Sequence, residues 1–248
     1  MNRIVRMLLG RGNWWRVVPA YTKLWYYAKK TDEYPEQLKY DHAQYMMQRA
    51  IMAGNVDLGV FGLEDLPQQD GFILYANHQG LFDVVAIVGT CPRALGAVLK
   101  QELFKVPLVR ELALCSHSLP LDRDSVRQSV KVMRTVGEEV KKGKNMLIFP
   151  EGTRSRMENQ MGPFHAGSFR AAQSAKCPIV PVAMFNSWKV LDRPGSKPVA
   201  AQIHYLKPIL YEEYASMNTH AIADLTRSHL EAELQRLQAA EASGITAT

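Results

Sequence analysis

Sulfur is scarce in this chain and badly placed for bonding: Cys91, Cys115 and Cys177 lie far apart, with no Cys-x-x-Cys pair and no nearby His ligand pattern. That spacing argues against both a disulfide scaffold and a zinc site, no other metal site is expected, and the three read as reduced, mostly buried thiols. No run of about 18 uncharged apolar residues occurs, so a membrane-crossing helix is not expected. The N-terminus lacks an uninterrupted apolar stretch ending in a small-residue cleavage site, which speaks against a secretory leader and puts the working face on the cytoplasmic side. Neither a Gly-x-Ser-x-Gly elbow nor a Gly-x-x-x-x-Gly-Lys-Ser/Thr loop is present, so a serine nucleophile and a P-loop both lack their motif. Fixed-period repeats and low-complexity tracts are absent too, and 248 residues suffice for one α/β unit with a real core.

Acidic residues are missing from the start of the chain. Arg3, Arg6, Arg11, Arg16, Lys23, Lys29 and Lys30 all precede Asp32, the first carboxylate, and these seven charges exceed the whole formal excess of +6. The basicity therefore belongs to the N-terminus. Interleaved with it are Met7, Leu8, Leu9, Trp14, Trp15, Val17, Val18, Leu24, Trp25, Tyr26 and Tyr27. Cations mixed with aromatic and aliphatic side chains suit a helix lying along an anionic bilayer; an ordinary basic helix packed on a domain would carry the same pattern. A peripheral or monotopic association with the cytoplasmic face of the cell membrane is expected, and no nucleic-acid partner.

Element signals divide the chain into residues 1–60, an amphipathic two-helix membrane-association element hinged near Pro35, and residues 61–248, an α/β domain. After a linker, the turn at Asp70-Gly71 introduces Phe72 to Ala76, an apolar run of buried-strand character, and Val84 to Val88 reads as a helix. Asp124 or Ser125 can cap a helix whose stripe is Val126, Val130, Met133, Val136 and Val140, closed by Gly143. Met146 to Phe149 reads as a strand, Ala166 to Lys176 as a helix, Ile179 to Phe185 as a strand broken by Pro181, 199–206 as a further strand and 219–242 as a terminal amphipathic helix. Such alternation predicts a largely parallel sheet flanked by helices, with chemistry beyond the carboxyl ends of its strands.

Two loops follow core strands at such ends. The first is Asn77-His78-Gln79-Gly80-Leu81-Phe82-Asp83. An imidazole titrates near neutrality and can take a hydroxyl proton, and a carboxylate five residues on can fold back to hold its other nitrogen. The same residues would also fit a loop histidine followed by a helix N-cap. The second loop is Phe149-Pro150-Glu151-Gly152-Thr153-Arg154-Ser155. Gly152 lets a ligand approach the backbone, Arg154 offers a planar fork for phosphate, and Thr153 and Ser155 add hydroxyls; a turn closed by a Glu151–Arg154 pair is the plainer reading.

Taken together, the two heptads resemble the 1-acylglycerol-3-phosphate acyltransferase family, within the wider glycerolipid acyltransferases. Lys100 to Pro107, Leu121-Asp122-Arg123 and Val180-Pro181-Val182 are consistent with it, and the resemblance covers about residues 72–185. It implies that His78 and Asp83 are the catalytic pair and that Glu151, Gly152, Thr153 and Arg154 bind the glycerophosphate. Lys100 and Arg123, basic residues in loops that should face the same strand ends, are read as further phosphate contacts. The implied reaction moves a fatty acyl group from acyl-CoA or acyl carrier protein, the co-substrate thioester, to the sn-2 hydroxyl of lysophosphatidic acid, with no cofactor. Two departures stand out: Arg110 where a glycine often follows the Pro107 block, and His165 where a lysine often precedes the Gly167 position. Glycerol-3-phosphate or another lysophospholipid as acceptor would use the same His and Asp, and a non-catalytic membrane lipid-binding protein would rely on the basic N-terminus alone.

Overall fold

A computed structural model describes residues 3, 6, 7, 14–192 and 197–244. Leu8, Leu9 and Arg11 of the basic segment lie outside the described residues, as do the side chains of Trp14 and Arg16.

Two helices open the described fold, α1 (Trp14–Lys29) and α2 (Glu36–Ala53), separated at Pro35 as the sequence implies. Seven strands form one sheet: β1 (Val56–Phe61), β2 (Ile73–Ala76), β3 (Leu95–Lys100), β4 (Leu119–Leu121), β5 (Asn145–Ile148), β6 (Ile179–Phe185) and β7 (Val199–Tyr205). Their order is β1-β7-β6-β2-β5-β3-β4. Every pairing is parallel except β6 with β7. The largely parallel α/β sheet expected from the element order is therefore present. β2, β5 and β6 are buried at every residue, because helices cover both faces and each strand must be apolar on both. Side-chain alternation sorts them into two cores: Leu74, Leu147, Val180 and Val182 on one face, Ile73, Tyr75, Met146, Ile148 and Ile179 on the other.

Several local expectations need correction. The stretch expected as a linker ahead of Asp70 is preceded by β1, which pairs with β7, so the sheet begins inside residues 1–60, the segment expected to hold only the two helices. Strand β6 is not broken by Pro181. Ile179 exchanges both backbone hydrogen bonds with Ile209, and Leu206 N–H donates to the Pro181 carbonyl, so the proline nitrogen faces the stretch where the β7 ladder has ended. Helix α3 (Phe82–Thr90) and helix α4 (Val109–Cys115) precede α5 (Val126–Lys141), which Ser125 caps by accepting from Gln128 N–H. Val126 and Val130 of α5 are 80% and 50% exposed, so the buried face runs instead through Val132, Met133, Val136, Gly137 and Val140. The stretch read as one helix from Ala166 is a 3-10 turn followed by α6 (Arg170–Ala175). After a short α7 (Trp188–Leu191) and α8 (Tyr211–Tyr214), the terminal helix α9 spans Thr219–Ala242 and buries Leu230, Leu234 and Leu237.

The N-terminal helices are joined to the sheet by packing. Tyr40 of α2 is fully buried and donates to the carbonyl of Cys91. Leu24 and Tyr27 of α1 bury against Ala43 and Cys115. The opposite face of α1 leaves Trp15, Val18, Trp25 and Tyr26 exposed. No helix among the described residues is long and apolar enough to cross a membrane.

Candidate active site

Parallel β2, β5 and β6 are neighbours, so the loops leaving their carboxyl ends converge. From β2 comes His78. Its Nδ1 lies 2.7 Å from Asp83 Oδ2, and Asp83, in the first turn of α3, is wholly buried. The same Oδ2 accepts the backbone N–H groups of Gln79 at 2.7 Å and Gly80 at 2.9 Å. Donors thus converge on the carboxylate, which fixes the hydrogen on Nδ1 and leaves Nε2 as the acceptor, the arrangement a general base requires. The imidazole stacks on Phe149, ring centroids 4.1 Å apart, which limits its rotation.

From β5 comes the second heptad. Glu151 is buried and turned inward: Oε1 accepts His78 N–H and Oε2 accepts Gly162 N–H, both at 2.7 Å. Burial pushes its carboxyl above the ordinary carboxylate value, against the opposing effect of those two donors. Its place in this structure is to lock the His78 backbone, with Ser155 N–H donating to the His78 carbonyl at 2.8 Å as the second tie. Gly152 has φ +67°, and a Cβ there would come within 3.1 Å of the His165 ring, so the turn admits only glycine without strain. Thr153 is exposed. Arg154 does not pair with Glu151; its Nη1 lies 2.7 Å from Asp192 Oδ1. Asp192 Oδ2 also accepts Leu81 N–H at 3.3 Å, so this carboxylate ties the two heptads together.

Lys100 and Arg123 stand at the carboxyl end of β3 and just past that of β4, where Lys100 registers with Leu121. Lys100 is paired with Glu102 at 3.2 Å, and among the described residues neither cation joins the network around His78. Arg110 pairs with Glu111. The three cysteines are buried, and burial pushes Cys91 and Cys115 up to about 11 and Cys177 up to about 12, so none offers a thiolate near neutrality.

A third loop, leaving β6, was not anticipated from sequence. Asn77 pairs with Met184 through its side-chain oxygen and nitrogen, aligning β6 beside the first heptad. Asn186 then takes a left-handed φ of +58°, a turn asparagine tolerates, and delivers Ser187 to Asp83 Oδ1. Gln79, Asn159, Asn186 and Glu241 continue this polar chain outward to the exposed end of α9. The available signal was a pair of polar residues directly after a strand flanking β2.

Residues 57–185 match the family model described as Acyltransferase. The chain is 36% identical over 139 residues to a 1-acyl-sn-glycerol-3-phosphate acyltransferase of Saccharomyces cerevisiae, covering 55% of this chain and 45% of that one. It is 31% identical over 131 residues to a chloroplastic enzyme of the same description from Brassica napus, covering 52% and 38%. The chain thus spans less than half the length of these two relatives. Among solved structures it is similar to the 1-acyl-sn-glycerophosphate acyltransferase PlsC of Thermotoga maritima, with a TM-score of 0.73 at 22% identity, covering 96% of this chain and 98% of that one, a likeness of fold.

Proposed function

This chain belongs to the acyltransferase family, and from that premise we propose that it transfers a fatty acyl group from a thioester donor to the sn-2 hydroxyl of lysophosphatidic acid, giving phosphatidic acid. The observation that carries the reading is the His78–Asp83 pair at 2.7 Å, with the carboxylate buried and saturated by donors at the carboxyl ends of the central strands. His78 Nε2 takes the hydroxyl proton as the oxygen attacks the thioester carbonyl carbon. The tetrahedral adduct then expels the thiolate, which takes the proton back from the imidazolium. Transfer is direct, because the buried, poorly acidic thiols leave no cysteine to carry an acyl group and the sequence has no serine elbow. Acyl-CoA and acyl carrier protein are the two donor classes, and an activated thioester meeting an imidazole base calls for no cofactor.

Arg154 is assigned to the phosphate. Asp192 engages Nη1 alone, and a guanidinium has five N–H donors, so the fork keeps capacity for a phosphate beside it. Gly152 and Thr153 lie in the same turn, and Lys100 and Arg123 extend the positive rim. The exposed face of α1 is assigned to the lipid surface: Lys29 Nζ sits 3.7 Å from the centre of the Trp25 ring and Lys30 5.2 Å from that of Tyr26, pairing cations with aromatic groups suited to headgroup depth. The enzyme would work on the cytoplasmic face of the cell membrane, peripheral or monotopic.

The test is acyl transfer from labelled acyl-CoA, and separately from acyl carrier protein, with lysophosphatidic acid and glycerol-3-phosphate as parallel acceptors. Wild type should form phosphatidic acid and folded His78→Ala should lose about 10²- to 10⁴-fold in rate. Transfer confined to glycerol-3-phosphate would reassign the acceptor, and full activity in His78→Ala would refute the base.

A further inference from the structure

We propose that Ser187 is a positioning residue for the His78–Asp83 pair, acting through the carboxylate oxygen that does not hold the histidine; this rests on the acyl-transfer reading above. Ser187 is fully buried, and its hydroxyl stands within hydrogen-bond distance of two acceptors, Asp83 Oδ1 at 2.5 Å and Gln79 Oε1 at 2.9 Å. A hydroxyl has one proton. Gln79 Oε1 already accepts Ser187 N–H at 3.1 Å, and a carboxylate is the stronger acceptor, so the proton belongs to Asp83.

Two features set this serine apart from an ordinary buried hydroxyl. It stands at the N-cap position of α7 in a helical backbone conformation and makes no capping bond. Its hydroxyl proton is directed to a residue 104 positions away. The position is also braced from both sides. Asn186, in its left-handed turn, bonds Asn159, and Asn159 Oδ1 accepts from Gln79 Nε2, so Gln79 and the Ser187 backbone form one rigid frame. Asp83 is consequently gripped at both oxygens: Oδ2 by His78, Gln79 N–H and Gly80 N–H, Oδ1 by Ser187. Without the Oδ1 contact the carboxylate can rotate about its terminal torsion, which is soft, and the Nδ1 contact loses its fixed direction. Ser187 touches no substrate in this scheme; it sets the geometry of the group that does.

The test compares full-length wild type, Ser187→Ala and Ser187→Thr in detergent, with acyl-CoA and lysophosphatidic acid. Ser187→Ala should lower kcat roughly 10- to 100-fold with KM for the acceptor within about twofold, and Ser187→Thr, which keeps the hydroxyl, should restore most of it. The low-field proton resonance of His78 Nδ1, identified by its loss in His78→Gln, should shift or broaden in the alanine variant and persist in the threonine variant. If Ser187→Ala does not fold, Ser187→Cys, with a much weaker donor, takes its place with the same expectations. Wild-type kcat with an unmoved resonance in the folded variant overturns the proposal, as does a rise in KM alone. If wild type itself transfers nothing to lysophosphatidic acid, the functional reading fails, and the resonance alone decides Ser187: displaced, the positioning role stands; unmoved, it falls.

Discussion

Arg154 and Glu151 sit three residues apart in one heptad and do opposite work. Glu151 points inward onto two backbone N–H groups, whereas Arg154 points outward to Asp192. Glu151→Gln places an amide NH2 against one of those N–H donors, so unfolding experiments should show a loss of about 1–3 kcal/mol. Arg154→Ala removes a charge-assisted fork, and steady-state kinetics should show KM for lysophosphatidic acid raised by about tenfold or more, with a smaller change in kcat. The spacing of His78 and Asp83 allows five residues of loop and first turn to bring the two together, and the resemblance carried by both heptads, not the spacing alone, singles them out as a pair. Ser187 was not readable from sequence, since it reaches Asp83 only through the pairing of β6 with β2. The resemblance places Glu151 in the glycerophosphate-binding motif; its contact with Gly162, eleven residues on in a loop with no periodic signal, is visible only in the fold.

At the scale of elements, helices announced themselves better than strands. Strands β2, β5 and β6 are continuous apolar runs, and their buried position followed. β1 and β3 carry Gly59 and Gly96 and β4 is three residues around Pro120, so none shows a clean two-residue period. The stripe on α5 overran at Val126 and Val130 because periodicity gives a face but not how much of its length meets a neighbour. The contact centres on Gly137, where a Cβ would approach Ser174 Oγ to 2.3 Å and the Ala171 carbonyl to 3.2 Å. Gly137→Val should force α5 from α6 and cost about 1–3 kcal/mol, read as a lowered Tm with the activity of the folded fraction retained. Two residues further along α5, Lys142 and Lys144 hold the Glu139 carboxyl down to about 2, from an ordinary 4.5. That contribution is present above pH 4.5 and disappears as pH falls toward 2. Glu139→Gln should therefore lower Tm at neutral pH, by no more than about 1 kcal/mol in stability for so exposed a cluster, and leave Tm at pH 2 unchanged.

For the molecule as a whole, one end of the sheet gathers the chemistry while α1 presents an apolar and aromatic face to the outside. Replacing Val18 and Trp25 together by glutamate removes two large exposed apolar groups and adds repulsion toward anionic lipid. Co-sedimentation with anionic vesicles should fall by at least about tenfold while the α/β core unfolds at its usual temperature. The amphipathic character of this segment was legible in its composition, but its attachment was not, because Leu24, Tyr27 and Tyr40 reach partners on α3, α4 and the loop after α3 that only the fold brings near. The most direct measurement of the central claim is the rate of phosphatidic acid formation by Asp83→Asn beside wild type, at saturating lysophosphatidic acid. An amide in place of the carboxylate presents a donor where Nδ1–H and two backbone N–H groups need an acceptor, so the predicted result is a fall of about 10³-fold or more in kcat with acceptor KM little changed. A folded Asp83→Asn protein turning over at the wild-type rate would contradict the account of His78 as a base held by Asp83.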